Sequence, residues 1–265
     1  MTAAAAINEG ELDIRSEHVG ELFTTAMETI EGESRTRSRI HQSMYTWAAV
    51  ACALIAVTGF ARSYYLKSLF GKPPLPVLLH VHGTVMSAWC VLFFVQTYLV
   101  ATHRVRVHRR LGIFGAVLAF LVVGIGTYAT VAATAREVRE HVVRQFHFLF
   151  GLNLMNLLLF AIFVILGLAL RARPEFHKRL MLMATLTLLA PAVARIVLLF
   201  TRAPTAQFAA FDFCILIFVA TDTVWNRRLH PALGWGAAVV IGSFHLTALA
   251  LGADWWLPFV ARVFA

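Results

Sequence analysis

The sequence lacks the short motifs that mark covalent cofactor sites and many enzymes. Its three cysteines form neither a CxxC nor a CxxCH motif, which excludes covalent c-type haem and argues against a disulfide. There is no Walker motif, GxSxG or GxGxxG, so ATP coupling and serine hydrolysis have no support. The absence of HxxxH and HExxH argues against membrane metalloproteases and non-haem desaturases.

Charged residues are also scarce, at 14% of the chain against 59% hydrophobic residues. Soluble domains carry roughly 25% charged residues, so this balance predicts a polytopic membrane protein with the lipid bilayer as its partner. The net charge of +9 does not indicate a nucleic-acid partner, because the basic residues cluster in short turns between apolar runs.

Residues 1–44 differ from the rest of the chain, residues 45–265. Eight of the fourteen acidic residues lie between Glu9 and Glu33. Apolar side chains recur there at helical spacing: Val19, Leu22, Phe23, Ala26, Met27 and Ile30. With Ser16 as an N-cap, this pattern predicts a short amphipathic helix in a cytoplasmic segment; a disordered tail is the alternative. No cleavable signal peptide is visible, since no basic stretch precedes an apolar core.

Seven apolar segments follow, and each is near the ~20 residues that a helix needs to cross a bilayer. They are 45–66, 76–101, 111–134, 146–170, 178–201, 208–225 and 233–251. Because the backbone must satisfy its own hydrogen bonds in lipid, the segments predict an all-α bundle of seven transmembrane helices. Pro191 lies inside the fifth segment and should kink it.

The distribution of Lys and Arg predicts the orientation. With the N-terminus in the cytoplasm, thirteen basic residues fall on the inner side and eight on the outer side. This asymmetry predicts an N-in, C-out protein of the bacterial inner membrane. The "DWWLPF" stretch, Asp254 to Phe259, then fits an aromatic belt at the outer face.

This topology places ionisable groups from five helices in one outer layer. They are His80, His82, His147, Arg195, Asp212 and His245. Ionisable residues inside a membrane are costly and mark functional sites by default. Simpler roles stand beside this interpretation: Arg195 and Asp212 pair with each other, His147 lies at the interface, and His245 bonds a neighbouring helix.

His80 and His82 should point in different directions, because residues two apart on a helix lie about 200° apart. We expect His82 to face the bundle and His80 to face the headgroups. Gly83, beside His82, would leave room for a large planar group.

A second set of histidines opens helices on the inner side. His108 begins the third segment in "RVHRRLG", and His177 begins the fifth in "EFHKRL". A topogenic role among arginines is the plain alternative. Bis-imidazole b-type haem needs one histidine from each of two facing helices, with small residues where the porphyrin lies. Gly112 and Gly151 lie four residues after His108 and His147, on the same helix faces.

Histidines on four consecutive helices, paired second with fourth and third with fifth, resemble the cytochrome b561 type of di-haem membrane protein. The "HRRLG" turn is also similar to turns in several bacterial polytopic membrane families. The b561 resemblance covers residues 76–200. It implies that His82 and His147 hold one haem b and that His108 and His177 hold another.

The first functional hypothesis is therefore a haem-binding protein that moves electrons from a lipid-soluble or periplasmic donor. The second is a membrane enzyme dependent on Cu, Zn or Fe. Its metal residues would come from His80, His82, His147 and His245, with Asp212 either orienting a ligand or acting as a base. The third is a transporter or sensor with a titrating histidine layer. Its pathway would be lined by Asn153, Asn156, Arg195, Asp212 and Asp222.

Overall fold

The computed structural model describes Met27, Thr29 and residues 44–139 and 145–264, apart from the side chains of residues 145–148, 204 and 257. The chain divides into two compact units, residues 1–44 and 45–265. Met27 and Thr29 are helical, and the rest of the predicted N-terminal amphipathic helix lies outside the described residues.

Described residues from 44 onward form nine helices and no strand. They are α1 (Met44–Tyr65), α2 (Val77–Ala101), α3 (Val105–Arg139), α4 (Gln145–Ala169), α5 (Pro174–Thr187), α6 (Ala190–Val197), α7 (Pro204–Asn226), α8 (Pro231–Leu251) and α9 (Trp256–Phe264). The last turn of α1, Ala61–Tyr65, is a π-helix, and the 3-10 turn Lys67–Phe70 follows it. The predicted all-α bundle is confirmed.

Among the described residues, six helices are long and apolar enough to cross a membrane, and α5 with α6 makes up to a seventh span. The chain bends by 46° between α5 and α6. The bend lies just before Pro191, which supplies no N–H for a continuous helix. The predicted kink in the fifth segment is therefore present, as a break between two shorter helices.

Helix α4 lies at the centre of the packing, against α3, α5 and α8. Its Phe160 is fully buried and meets Trp89 of α2 edge to face, with ring centroids 4.8 Å apart. The Trp89 indole N–H donates to Thr185 Oγ1 of α5 at 3.3 Å. These contacts fix α2, α4 and α5 relative to one another, and so position the side chains at the ends of those helices.

The aromatic tail forms a helix, α9, that hydropathy did not predict as an element. Trp256 and Val260 are buried, whereas Trp255, Phe259 and Val263 are exposed. Buried side chains four residues apart give α9 one apolar face packed on the protein. A helix of nine residues is too short to stand out as a span, which is why the sequence suggested only a belt.

Successive spans run in opposite directions, so the polar side chains gather at two ends of the bundle. We call the end that holds Tyr45, Arg179 and Asp222 the Arg179 end. The end that holds His82 and Arg195 is called the His82 end. In the predicted orientation the Arg179 end faces the cytoplasm.

Candidate functional site

The Arg179 end contains a buried ion pair that joins three helices. Arg179 of α5 donates through Nε to Asp222 Oδ2 of α7 at 2.8 Å, and the side chains are 1% and 0% exposed. The Tyr45 hydroxyl of α1 donates to the other carboxylate oxygen, Oδ1, at 2.6 Å. Both oxygens of a fully buried carboxylate therefore have a donor, which offsets much of the cost of burying the charge.

One turn of α5 extends this network toward the surface. Arg179 Nη1 donates to the backbone oxygen of Glu175 at 3.0 Å and also to its carboxylate. Lys178 Nζ donates to Glu175 Oε1 at 2.7 Å and lies 5.1 Å from the centre of the Tyr45 ring. Two cations and two carboxylates thus balance in charge, and Tyr45 is packed against both halves of the network.

Two histidine rings lie close together at the same end. The centroids of His108, in the first turn of α3, and His177, in the first turn of α5, are 6.2 Å apart with an interplanar angle of 81°. His177 Nδ1 lies 2.7 Å from the backbone oxygen of Gly167 in α4. Because a carbonyl oxygen only accepts, Nδ1 must carry a proton, and in a neutral ring Nε2 then has the lone pair.

His108 is held by a side chain of α2. With its amide nitrogen turned toward the ring, Gln96 donates to His108 Nδ1 at 2.8 Å and to the His108 backbone oxygen at 3.2 Å. In the same orientation the amide oxygen accepts from the Gly112 N–H at 3.1 Å. Nε2 then carries the proton of a neutral His108 ring, while Nε2 of His177 does not. The two rings are thus held as opposite tautomers.

Another histidine, His230, caps α8 near this network. Its Nδ1 accepts from the Ala232 N–H at 3.2 Å, and its ring meets Phe176 with centroids 4.7 Å apart. Burial lowers the pKa of His230 below its usual value, and the positive charge of Arg179 lowers it further. The ring is therefore neutral at pH 7, which is the form that accepts the capping hydrogen bond.

At the His82 end, His80 and His82 point in different directions, and His82 is the more buried of the two, as expected from their spacing on a helix. His80 is exposed and lies beside Tyr64, whereas His82 is half-buried. His82 Nδ1 is shielded from solvent and has no hydrogen-bond partner among the described residues. The expectation that Gly83 leaves room for a large planar group is wrong, however. The Tyr64 ring lies 2.4 Å from where a Cβ on Gly83 would be.

The expected pair of Arg195 with Asp212 is not formed. Arg195 donates to the backbone oxygen of Pro191 at 2.9 Å and lies over the Phe60 ring, 4.4 Å from its centre. The break between α5 and α6 changes the direction of the chain before Arg195. The depth and face that a straight helix would assign to it therefore do not apply.

Asp212 instead pairs with His245, across α7 and α8. Asp212 Oδ2 lies 2.8 Å from His245 Nε2, and the two side chains are 22% and 45% exposed. The His245 ring also lies 5.3 Å from the Phe208 ring. At 1.5 Å per residue, Asp212 is about 12 Å and His245 about 9 Å from the His82 end of its helix. The pair therefore lies inside a candidate span.

The described residues do not assemble the other predicted sites. No group of three or more His, Cys, Asp or Glu side chains there is placed to hold a metal ion. The side chain of His147 lies outside the described part, and Gly151, on its face, is covered by Leu251. Asn153 is half-buried; Asn156 is buried, and its Oδ1 has no partner within the described residues.

Sequence reasoning missed Tyr45 and Arg179 of the ion-pair network and missed Gln96, which holds His108. It named Asp222 only among the residues that would line a transport pathway. The predicted topology already placed Tyr45, Arg179 and Asp222 near one end. The signal that could have found this network was the presence of opposite charges at equal depth in the bundle. Gln96 was visible as one of the few amides within an apolar run.

Comparison of the chain with protein-family models, with curated proteins and with solved structures finds no match.

Proposed function

We propose that this chain is a multi-pass protein of the bacterial inner membrane that holds a b-type haem between His108 and His177 and transfers electrons. The observation that carries the proposal is the pair of imidazole rings from α3 and α5, with centroids 6.2 Å apart. Two imidazoles bound to one metal through bonds of about 2.0 Å place their ring centroids about 6 Å apart.

The donor set also suits haem better than a bare metal ion. Zinc and copper sites take three or four protein ligands, whereas a haem iron takes only its axial ligands from the protein. The described residues offer two imidazoles here and no third His, Cys, Asp or Glu in the group. Such a haem would supply a one-electron redox centre near the Arg179 end.

Each ring is oriented through its Nδ1 atom, which supports a ligand role for Nε2. Metal-binding histidines usually have the other ring nitrogen held by a hydrogen bond that fixes the tautomer. The Gly167 carbonyl does this for His177. His108 needs one change, since the Gln96 amide must turn to present its oxygen before Nδ1 takes the proton and Nε2 becomes a donor.

The helix face beside His108 is less crowded than the faces beside the other predicted haem ligands. A Cβ on Gly112, one turn after His108, would meet only the end of the Gln96 amide, at 3.7 Å. The glycines on the faces of the other predicted haem pair, Gly83 and Gly151, are covered by Tyr64 and Leu251. The proposal is therefore one haem per chain, at the Arg179 end.

The absorption spectrum of protein purified in detergent tests the proposal. The dithionite-reduced wild type should show the sharp α-band of a bis-histidine b-type haem. We expect His177→Ala to lose that band and the matched variant of an exposed histidine, His80→Ala, to keep it. A colourless wild type, or an unchanged band in His177→Ala with normal elution as a folded protein, contradicts the proposal.

The Asp212–His245 pair favours a second candidate, a proton-coupled transporter. A hydrogen-bonded carboxylate and imidazole within a span, near a helix broken at Pro191, are features of such proteins. Proton uptake into liposomes, followed with a pH-sensitive dye, tests it. Uptake that Asp212→Asn abolishes and Asp254→Asn preserves would support this candidate, and uptake that is absent or unchanged would remove it.

A further inference from the structure

The segment after α1 forms a cationic cleft that none of the sites above uses. Arg62, Ser63, Phe70 and Lys72 line a cavity of about 450 Å³ at the His82 end. The Arg62 guanidinium lies over the Phe70 ring, 4.9 Å from its centre. The cleft therefore combines two positive charges, a hydroxyl and an aromatic wall.

The backbone brings these residues together by a defined route. The π-helical turn Ala61–Tyr65 carries Arg62 and Ser63, and π-turns occur frequently at functional sites. The Tyr64 hydroxyl donates to the His80 backbone oxygen at 3.2 Å, and the Tyr65 hydroxyl lies 2.7 Å from Ser87 Oγ. The tyrosines thus tie the turn to α2.

The chain then reverses direction at Gly71, which brings Lys72 to the same cleft as Arg62. Gly71 has φ of 60°, a left-handed conformation that glycine adopts without strain. Lys67 Nζ donates to the Pro73 backbone oxygen at 2.9 Å, which closes the loop. Lys67 is thereby occupied as a structural tie, whereas Lys72 joins Arg62 at the cleft.

No carboxylate of the described residues forms an ion pair with Arg62 or Lys72. The sequence holds no acidic residue between Glu33 and Glu137. Uncompensated arginine and lysine beside a hydroxyl are the groups that recognise phosphate, arginine through paired N–H donors and lysine as a point charge.

We propose that this cleft binds the phosphate of an anionic phospholipid headgroup. The position favours a lipid over free phosphate, because the cleft lies at the end of a membrane span. Leu66, Leu69 and Phe70 expose apolar surface around it, 46%, 77% and 43% of each side chain. A lipid satisfies both parts of this surface, with its phosphate on the cations and its acyl chains along the leucines.

The test uses thermal unfolding of the purified protein in dodecyl maltoside with one addition at a time: dioleoyl phosphatidylglycerol, dioleoyl phosphatidylcholine or inorganic phosphate. We expect only phosphatidylglycerol to raise the melting temperature. Arg62→Gln with Lys72→Gln should weaken its apparent affinity by roughly fivefold for each charge removed. Arg202→Gln, at an exposed arginine of another loop, is the matched control and should leave the affinity unchanged.

An equal rise with phosphatidylcholine, or an equal loss of affinity in Arg202→Gln, would overturn the proposal. So would unchanged affinity in the double variant. A rise with inorganic phosphate equal to that with phosphatidylglycerol would instead assign the cleft to free phosphate and overturn the lipid. If the double variant does not fold, Lys72→Gln alone is compared with wild type by native mass spectrometry. Phosphatidylglycerol adducts must then decrease for the proposal to stand.

Discussion

At the Arg179 end the charged side chains lie against one another, whereas at the His82 end Arg195 and His82 have few polar partners. Asp222 is 0% exposed and accepts hydrogen bonds from two other helices. Asp212 is 22% exposed, and its ion-pair partner among the described residues is a half-exposed histidine. Similar residue types thus serve as internal supports at one end and remain accessible at the other.

The difference follows from how the helices meet. Through Asp222, α7 bonds side chains of both α1 and α5 at the Arg179 end. Toward the His82 end the fifth span breaks, and Arg195 turns to an aromatic ring of α1. A fixed end can hold two imidazoles at a constant separation, which is the condition for preorganised ligands.

The largest expected effect concerns the buried ion pair. Asp222→Asn should destabilise the protein by about 3–5 kcal/mol, because it leaves Arg179 buried without its countercharge. Asp212→Asn, the matched change at the other end, should cost about 1 kcal/mol, since a partly exposed pair contributes little. Denaturant unfolding in detergent measures both. Equal losses for the two variants would erase the distinction between the ends.

Tyr45→Phe should be the next most harmful change. It removes the hydroxyl that donates to Asp222 Oδ1 inside the protein, at a cost of about 1–3 kcal/mol. Tyr65→Phe removes an exposed hydroxyl contact to Ser87 and serves as the control. The same unfolding experiment applies, and a control that loses as much as Tyr45→Phe would refute the ranking.

Gln96→Leu tests whether the Arg179 end holds the histidine pair in place. This prediction rests on the proposed haem. Loss of the side chain that positions His108 should weaken haem affinity by about 10–100-fold, as for other partners that orient metal ligands. Gln96→Glu should retain haem, because its carboxylate accepts from His108 Nδ1–H. Haem titration into apoprotein measures the affinities. Equal weakening in both variants would show that Gln96 acts through packing alone.

The smallest effect is a pH dependence at His230. The lowered pKa means that the unfolded chain takes up a proton first as the pH decreases. The stability that the neutral ring contributes is therefore full above about pH 6.5 and is lost as the pH falls through the pKa of the folded ring. Losing the cap costs about 0.5–2 kcal/mol.

His230→Asn isolates this effect, since asparagine caps a helix without titrating. Melting curves between pH 5 and pH 8 should be flatter for the variant than for wild type. Profiles of identical slope would show that the pKa of His230 is the same in the folded and the unfolded chain, which would contradict the lowered pKa.

Hydropathy predicted the apolar part of each span, because a run of about 20 apolar residues is a local property of the chain. The third helix, α3, extends beyond its predicted segment, 111–134, at both ends. Pro191 likewise predicted the break in the fifth span from its missing N–H. The side-chain pairs that join different helices could not be predicted from such local properties. Tyr45 and Asp222 are 177 residues apart, and the choice between Asp222 and Asp212 as the buried partner depends on which helix faces meet.

The candidate site was likewise predicted in part. The sequence named His108 and His177 as a pair, and the structure brings their rings together. It could not show that Tyr64 covers Gly83 or that the break redirects Arg195, since both depend on packing between helices.

Haem content per chain in two double variants tests the central claim most directly. The pyridine haemochrome assay on purified protein gives the ratio of haem to chain. We predict one haem in the wild type, one in His82→Ala with His147→Ala, and none in His108→Ala with His177→Ala. Haem lost only from the His82 and His147 variant, or two haems in the wild type, would contradict it.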